Sequence, residues 1–313
     1  MNSGDILAQL TWMPKLEGGT LARCPRIIVG GMGGSALPAY ALRFLDAAYP
    51  VSVHGDYDLP EGAPEDALYV AISASGNTEE TLSFARAARG KGLPLAVIST
   101  GGELLAYAKE EGVPHVVVPP ISVPRNALIY LMRALLVCAG DAERLAALER
   151  VALDEEHSAK SAPALANFMR GGLPIFYASR RNGFLARLAK ILVNETAKMP
   201  AFANVFPELN HNEMQSFDIS APQETANLAR FVLLTHGNDD ARIQGRMRAF
   251  DACMAELGRG VMRLPLPEKT REDALVETWY TAYLAARSLA EERGVEPNAT
   301  PLVEAFKKRL KSV

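Results

Sequence analysis

Short apolar runs typical of buried strands alternate with helix-like segments along most of this chain. The runs lie at 26–30, 51–54, 67–73, 95–99 and 115–118, and again at 175–179, 231–236 and 261–265. Helical patterns separate them at 36–48, 78–89, 103–109 and 126–151, and then at 183–198 and 240–257. Strands that alternate with helices at this spacing predict parallel, doubly wound sheets flanked by helices.

The alternation occurs in two series, and 313 residues are more than one hydrophobic core usually serves. We therefore expect an α/β protein of two tandem domains, residues 1–155 and 156–313, with the boundary in the helical region around 150–170. Segments 273–292 and 300–310 are predicted to be closing helices of the second domain.

Composition and charge narrow the classes of partner. The net charge is −3 and no block of lysine or arginine occurs, which argues against nucleic acid and anionic membranes as partners. Cys24, Cys138 and Cys253 are too far apart in sequence for metal pairs or a disulfide framework, and the N-terminus lacks a signal-peptide pattern. The longest apolar run, 127–139, is too short to span a bilayer and contains Arg133. We expect a cytoplasmic protein with a small-molecule ligand.

The turn after the first apolar run reads VGGMGGSA, from Val29 to Ala36. It satisfies the G-x-G-x-x-A form of the dinucleotide fingerprint, and Asp56 follows at about the expected distance of 20 residues. An NAD-binding oxidoreductase is therefore one hypothesis. The glycines, with Gly33 and Gly34 next to Ser35, would equally let the backbone approach another anion.

A second turn, SASGNTEET, follows the third apolar run. It favours the binding of an anion other than a dinucleotide. It offers the hydroxyls of Ser73, Ser75 and Thr78 beside Gly76 at a strand-to-helix junction. Plain N-capping would need only one hydroxyl, so phosphate binding is the better interpretation. In the second series the turns are ASRRNG and THGNDD, where Asp239 and Asp240 would repel a phosphate. We expect one phosphate site, in the first domain, served by both of its turns.

Glu195 lies in line with apolar residues of the helix predicted at 183–198. Leu185, Leu188, Leu192 and Met199 form one stripe with it at helical spacing. A carboxylate on that stripe either pairs with a buried cation, marks a frayed helix end, or serves as a general base whose pKa desolvation raises.

His211 stands in the polar cluster Asn210–Glu213, and no other histidine or cysteine has metal-ligand spacing with it. It is either a satisfied loop histidine or a proton-transfer partner for Glu195. No metal site is expected.

The segments GMGGSA, SASGNTEET, VPRNAL, NETAKM and ELNHNE occur in this order. With them the chain resembles the bifunctional phosphoglucose/phosphomannose isomerases of the sugar isomerase (SIS) superfamily, from about residue 20 to the C-terminus. The resemblance implies two SIS-type domains and no cofactor. It also implies interconversion of glucose 6-phosphate, and mannose 6-phosphate, with fructose 6-phosphate through a cis-enediol intermediate.

The resemblance also implies roles for single residues. Gly33, Gly34 and Ser35 with Ser73, Ser75 and Thr78 would bind the sugar phosphate. Arg125 would stabilise the enediolate, and Glu195 would move the proton between C1 and C2. His211 would assist ring opening from the other subunit of a homodimer. Thr300 would line the sugar pocket, and Lys307, which Lys308 adjoins, would help ring opening.

The sequence departs from the typical family pattern at Ala74, where a bulkier residue is usual, and at Phe217, where many members have an aromatic residue of another type. Two alternatives to this activity remain beside the NAD hypothesis. The chain could be a non-catalytic sugar-phosphate-binding SIS protein, or an isomerase that acts on another phosphosugar.

Overall fold

The structure is a computed structural model that describes residues 2–218 and 226–310. The chain divides into two compact units, the first ending at Ala152 and the second beginning at Leu153. The outermost predicted domain limits, residues 1 and 313, lie outside the described residues. The two units are described in turn.

The first unit is built on a six-stranded sheet. Its strands are β1 Leu16–Glu17, β2 Arg26–Gly30, β3 Val51–His54, β4 Ala67–Ile72, β5 Leu95–Ser99 and β6 His115–Val117. Its helices are α1 Ser3–Thr11, α2 Leu37–Leu45, α3 Glu79–Gly90, α4 Gly102–Glu110, α5 Leu128–Ala139 and α6 Ala142–Glu149. The strand order is β1-β6-β5-β4-β2-β3, and every pairing is parallel except that of β1 with β6.

Helices cover this sheet because its central strands are apolar on both faces. All six residues of β4 are buried, as is usual for a strand in a parallel sheet. Residues of α3 and α4 form one core cluster with β2, β4 and β5, and α5 also packs against β4 and β5. The carboxyl ends of β2 and β4 are neighbours, which brings the two predicted phosphate turns to the same edge.

The helix predicted at 126–151 is wrong as a single element. Gly140 adopts the left-handed conformation and ends α5, and Asp141 then caps α6 by accepting a hydrogen bond from the Arg144 N–H. The apolar run at 127–139 lies in this region as the buried helix that the sequence predicts, and Arg133 within it is fully buried.

The second unit contains a four-stranded, all-parallel sheet of order β10-β9-β7-β8. Its strands are β7 Leu173–Ser179, β8 Phe202–Phe206, β9 Ala229–Thr235 and β10 Val261–Pro265. Its helices are α7 Glu155–Met169, α8 Gly183–Thr196, α9 Ala241–Glu256, α10 Arg271–Glu292 and α11 Pro301–Leu310. The predicted α/β class, with mainly parallel sheets flanked by helices, is confirmed.

The core of the second unit is aromatic, with Tyr177, Phe206, Phe231 and Phe250 in edge-to-face or tilted contact. On α10, fifteen of the 22 residues are buried, and the helix packs against α7 and α8. All ten residues of α11 are exposed. None of the described helices combines the length and apolar character needed to cross a bilayer.

Candidate functional site

The turn after β2 places a buried hydroxyl beside the turn after β4. Gly33–Ser35 forms a single 3₁₀ turn in which Gly33 is exposed and Ser35 is buried. The Ser35 Oγ accepts a hydrogen bond from the Ala74 N–H at 3.1 Å. The two turns that the sequence singles out are therefore joined directly, at the carboxyl edge of the sheet.

The turn after β4 holds its hydroxyls in a local network. Ser73 Oγ and Thr78 Oγ1 lie 2.9 Å apart, and the Gly76 N–H donates to Ser73 Oγ at 3.1 Å. Thr78 is the N-cap residue of α3, yet it makes no side-chain cap hydrogen bond. The side chain of Thr78 therefore does not cap α3. The first N–H groups of α3 point out of a hydroxyl-rich turn, which is the usual arrangement of an anion site.

Gly76 permits a close approach to a third turn that the sequence analysis missed. A Cβ on Gly76 would lie 1.8 Å from the carbonyl oxygen of Gly101, in the turn after β5. The Asn77 Oδ1 accepts from the Glu103 N–H, and Thr100 Oγ1 donates to the Ala74 carbonyl. In the sequence, the adjacent glycines Gly101 and Gly102 are the feature that could have predicted this close contact.

Arg125 lies beside the first turn. It belongs to a 3₁₀ turn, Pro124–Ala127, that precedes α5, and it is 1% exposed. A Cβ on Gly34 would lie 2.8 Å from the Arg125 backbone nitrogen, so only glycine lets the two turns pack this closely. The fold of the first unit thus brings the backbone of Arg125, a residue that only the resemblance indicated, against the first of the two predicted phosphate turns.

Glu195 lies in the last turn of α8. Leu185, Leu188 and Leu192 of the predicted stripe are fully buried, whereas Glu195 is half-buried. Lys198, another residue that the sequence analysis missed, hydrogen-bonds to main-chain carbonyl groups at the end of α8. Its Nζ donates to the Glu195 carbonyl at 2.5 Å and to the Pro297 carbonyl at 3.2 Å. A lysine at a helix C-terminus is favoured because it satisfies the last carbonyl groups.

Lys198 therefore ties the helix that carries Glu195 to the segment that leads to Thr300. Thr300 is half-buried, and its carbonyl accepts from the Glu304 N–H at the start of α11. Lys307 and Lys308 are both exposed on α11. Their geometry does not distinguish between them.

His211 is exposed at the end of a 3₁₀ turn, Glu208–His211, that follows β8. The next 3₁₀ turn, Glu213–Phe217, is anchored to the sheet by a carboxylate. Glu213 accepts from Tyr177 Oη and from Asn204 Nδ2, both at 2.5 Å. Burial, together with the bond to Glu213, raises the pKa of Tyr177 and keeps it a hydrogen-bond donor. The fold thus fixes the backbone around His211 and leaves its imidazole accessible.

Among the described residues, no group of three or more histidine, cysteine, aspartate or glutamate side chains could hold a metal ion. The first unit thus offers hydroxyls beside a helix N-terminus and a buried arginine, and the second unit offers a half-buried carboxylate and an exposed imidazole. Hydroxyls at a helix N-terminus favour an anion, and a carboxylate and an imidazole are groups that can transfer protons.

Comparisons with known proteins show which family the chain resembles. Residues 158–310 match the model of the bacterial phospho-glucose isomerase C-terminal SIS domain. A bifunctional phosphoglucose/phosphomannose isomerase from Aquifex aeolicus is 31% identical, over 91% of this chain and 90% of that protein. A D-glucosamine-6-phosphate 4-epimerase from Sulfolobus acidocaldarius is 33% identical, over 61% of this chain and 64% of that protein.

The fold has relatives among solved structures as well. A crystal structure of a hypothetical protein from Thermus thermophilus superposes with a TM-score of 0.74 at 21% sequence identity. The match covers 92% of this chain and 83% of that one. The relative from Aquifex aeolicus aligns along nearly the whole length of both proteins. The chain therefore belongs to the bifunctional phosphoglucose/phosphomannose isomerase family of SIS proteins.

Proposed function

We propose that this protein is an aldose–ketose isomerase that interconverts glucose 6-phosphate, and also mannose 6-phosphate, with fructose 6-phosphate. The observation that carries the proposal is the link between the two turns of the first unit. Ser35 Oγ joins them at the Ala74 N–H, so both turns present hydroxyls beside the N-terminus of α3. The names of the curated relatives, such as the isomerase from Aquifex aeolicus, support the same activity.

In this proposal the first unit binds the phosphate. Ser35, Ser73, Ser75 and Thr78 supply hydroxyls, and Gly33 and Gly34 let the backbone approach the ligand. The phosphate does not react, so its binding energy orients C1 and C2 of the sugar for proton transfer. The residues proposed for the sugar-phosphate-binding domain are 1–155, followed by a second SIS domain at 156–313.

The proton transfer is assigned to two groups. Glu195 removes the proton from C2 of the open-chain aldose and returns it to C1, while one proton passes from the O2 hydroxyl to the carbonyl oxygen O1. The electron pair of the C2–H bond forms the C1–C2 double bond of a cis-enediolate. The Arg125 guanidinium stabilises the negative charge that develops on the enediolate oxygen. The overall step is redox-neutral and needs no cofactor.

Ring opening is assigned to His211 and Lys307, and Thr300 is assigned to the sugar pocket. We place His211 in the active site of a second subunit, in a homodimer. The exposure of its imidazole supports this, because an exposed side chain is available to another copy. Mixing Glu195→Gln with His211→Ala protein tests it. Subunit exchange should restore activity, since one site of each mixed dimer would then be intact.

The main test is a coupled assay run with glucose 6-phosphate, mannose 6-phosphate and glucosamine 6-phosphate. We expect Glu195→Gln to lose isomerisation by at least about a thousandfold, while a sugar phosphate still raises its melting temperature. Glu256→Gln is the matched control, because Glu256 also lies in the last turn of a helix but is exposed. Full activity in Glu195→Gln would contradict the assignment of the base.

The same assay separates the alternatives. The relationship to a glucosamine-6-phosphate epimerase makes another phosphosugar the second candidate substrate. Turnover of glucosamine 6-phosphate alone would favour it. Tight binding of fructose 6-phosphate without turnover would instead indicate a non-catalytic sugar-phosphate-binding protein. We also propose a cytoplasmic location, which the three free cysteines Cys24, Cys138 and Cys253 support.

A further inference from the structure

The N-terminus of α5 is capped by a residue from another helix. The residue at its own N-cap position is Ala127, which has no polar side chain to satisfy the first N–H groups. Gln9, on α1, takes this role across 121 positions of sequence: its Oε1 accepts from the Tyr130 N–H at 3.4 Å. The Gln9 Nε2 also donates to the Asn126 carbonyl at 2.7 Å. Gln9 is only 3% exposed; its bond to Asn126 is buried and its bond to Tyr130 is partly buried.

The turn that Gln9 holds is the one that carries Arg125. Asn126 is the residue after Arg125, and both lie in the Pro124–Ala127 turn. Within the described part of the chain, the buried Asn126 Oδ1 accepts no hydrogen bond. The bond from Gln9 Nε2 to the Asn126 main-chain carbonyl is a buried polar contact that anchors the turn to α1.

The position of Gln9 is itself fixed by a buried cation. Arg133 of α5 is fully buried, and its guanidinium donates to the Leu10 carbonyl at 2.7 Å and to the Trp12 carbonyl. Its Nη2 pairs with Glu149 of α6 at 2.8 Å. These bonds satisfy the C-terminus of α1 one residue after Gln9. Two consecutive residues of α1, Gln9 and Leu10, are thus held to different parts of α5 and the turn before it.

We propose that Gln9 is a positioning residue for Arg125: it fixes the Pro124–Ala127 turn so that the guanidinium meets the enediolate. The inference rests on the proposed isomerase function. A glutamine is required because the position needs a donor for the Asn126 carbonyl and an acceptor for the Tyr130 N–H at once. Leucine has a similar size and provides neither, and glutamate provides only the acceptor.

Kinetics of the full-length protein test the proposal. In Gln9→Leu we expect kcat to fall by about ten- to a hundredfold, because a displaced catalytic group is costly. KM should stay within about threefold, since the phosphate turns at Ser35 and Ser73 are untouched. In the Arg125→Ala background the same change should lower kcat no further, because residues that act through one another are not additive.

Leu7→Ala is the matched control, because Leu7 lies on the same helix but is partly exposed and makes neither bond. It should leave kcat and KM unchanged. The proposal would be overturned if Gln9→Leu lowered kcat equally in the wild-type and Arg125→Ala backgrounds. It would also be overturned if Gln9→Leu raised KM and left kcat unchanged. Gln9→Glu serves as the second variant if Gln9→Leu does not fold.

Amide hydrogen exchange gives a readout that needs no catalysis. The N–H groups of residues 126–130 should exchange faster in Gln9→Leu, while those of β4 should not change. Unchanged exchange at 126–130 would overturn the inference even if the wild-type protein proved to be no isomerase. An inactive wild-type protein with faster exchange in Gln9→Leu would contradict the proposed function and leave the anchoring role of Gln9 supported.

Discussion

The carboxyl edges of the two sheets have the same arrangement of strands but different chemistry. In the first unit β2 lies between β3 and β4, and in the second unit β7 lies between β8 and β9. The turn after β7 thus corresponds to the turn that carries Ser35, and the turn after β9 to the one that carries Ser73. In the first unit both turns present hydroxyl groups beside the N-terminus of α3.

In the second unit a carboxylate of the chain itself occupies this place. Asp239 follows β9, is 6% exposed, and its Oδ1 accepts from Ser179 Oγ at 2.6 Å and from Asn182 Nδ2 at 3.1 Å. Its charge also favours the protonated form of Arg271, whose pKa burial lowers. The donors that would otherwise receive an anion are therefore already used. An inward-facing carboxylate therefore distinguishes this edge from the proposed anion site of the first unit.

The adjacent carboxylate has a different role. The sequence treats Asp239 and Asp240 as a pair that repels phosphate, whereas the structure shows only Asp239 between the turns. Asp240 is exposed and caps α9, accepting from the backbone N–H and the guanidinium of Arg242.

The largest effect is expected from Gly76→Ala. The added Cβ would collide with the Gly101 carbonyl at a positive φ, so the turn after β4 must move. We expect loss of measurable sugar-phosphate binding and a fall of at least about 2 kcal/mol in the free energy of unfolding. Calorimetric titration and chemical denaturation measure the two.

Gly92→Ala is the control for the backbone strain alone. Gly92, in the turn after α3, also has a positive φ, but its Cβ would meet open space. We expect a loss of stability of about 1 kcal/mol with binding weakened much less than in Gly76→Ala. Equal losses of binding in both variants would show that strain, and not the contact with Gly101, sets the shape of the turn.

Replacing a serine at the carboxyl edge of each sheet should affect substrate binding in the first unit and the free energy of unfolding in the second. Ser73→Ala should raise KM for the sugar phosphates by about tenfold or more, because a hydrogen bond to a charged group is lost. Ser179→Ala should leave KM unchanged and lower the free energy of unfolding by about 1–3 kcal/mol, since Asp239 loses its shorter hydrogen bond. A KM effect of similar size in Ser179→Ala would contradict the comparison.

Removing the inward carboxylate should open an anion site in the second unit. Asp239→Ala removes the acceptor of the Ser179 hydroxyl and of Asn182 Nδ2, and we expect it to be destabilised by about 2 kcal/mol. Inorganic phosphate should then raise its melting temperature by more than it raises that of the wild type. Asp239→Asn, which keeps an acceptor, is the control and should show no such gain. The same phosphate response in all three proteins would refute the idea that Asp239 replaces an anion.

The smallest effect concerns Asp240. Its hydrogen bond with Arg242 lowers the pKa of Asp240 from 3.8 to about 2. A carboxyl whose pKa is lower in the folded state stabilises it above the unfolded pKa, and this contribution is lost as pH falls. The difference in melting temperature between wild type and Asp240→Asn should therefore be constant above about pH 5 and fall progressively between about pH 5 and pH 1. A difference of unchanged size between about pH 5 and pH 2 would contradict this cause.

Most of the fold and part of the candidate site follow from local pattern. The strands at 26–30, 51–54, 95–99 and 261–265 match their predicted bounds because apolar runs between turns are local signals. The strand β8 was missed, since four of its five residues are at least partly exposed at a sheet edge and it shows no continuous apolar run. The break between α5 and α6 was missed because helix-forming residues resume at Ala142, two positions after Gly140.

The sequence by itself determined the βα alternation, the two hydroxyl and glycine turns, and the stripe that ends in Glu195. Each of these depends on residues within one or two turns of each other, where spacing alone predicts which side chains share a face. Only the tertiary structure decided which donors meet which acceptors over long separations. Gln9 with Asn126, Lys198 with Pro297 and Asp239 with Ser179 are such pairs. Buried polar groups must find partners, and in a folded chain those partners are set by packing rather than by distance along the sequence.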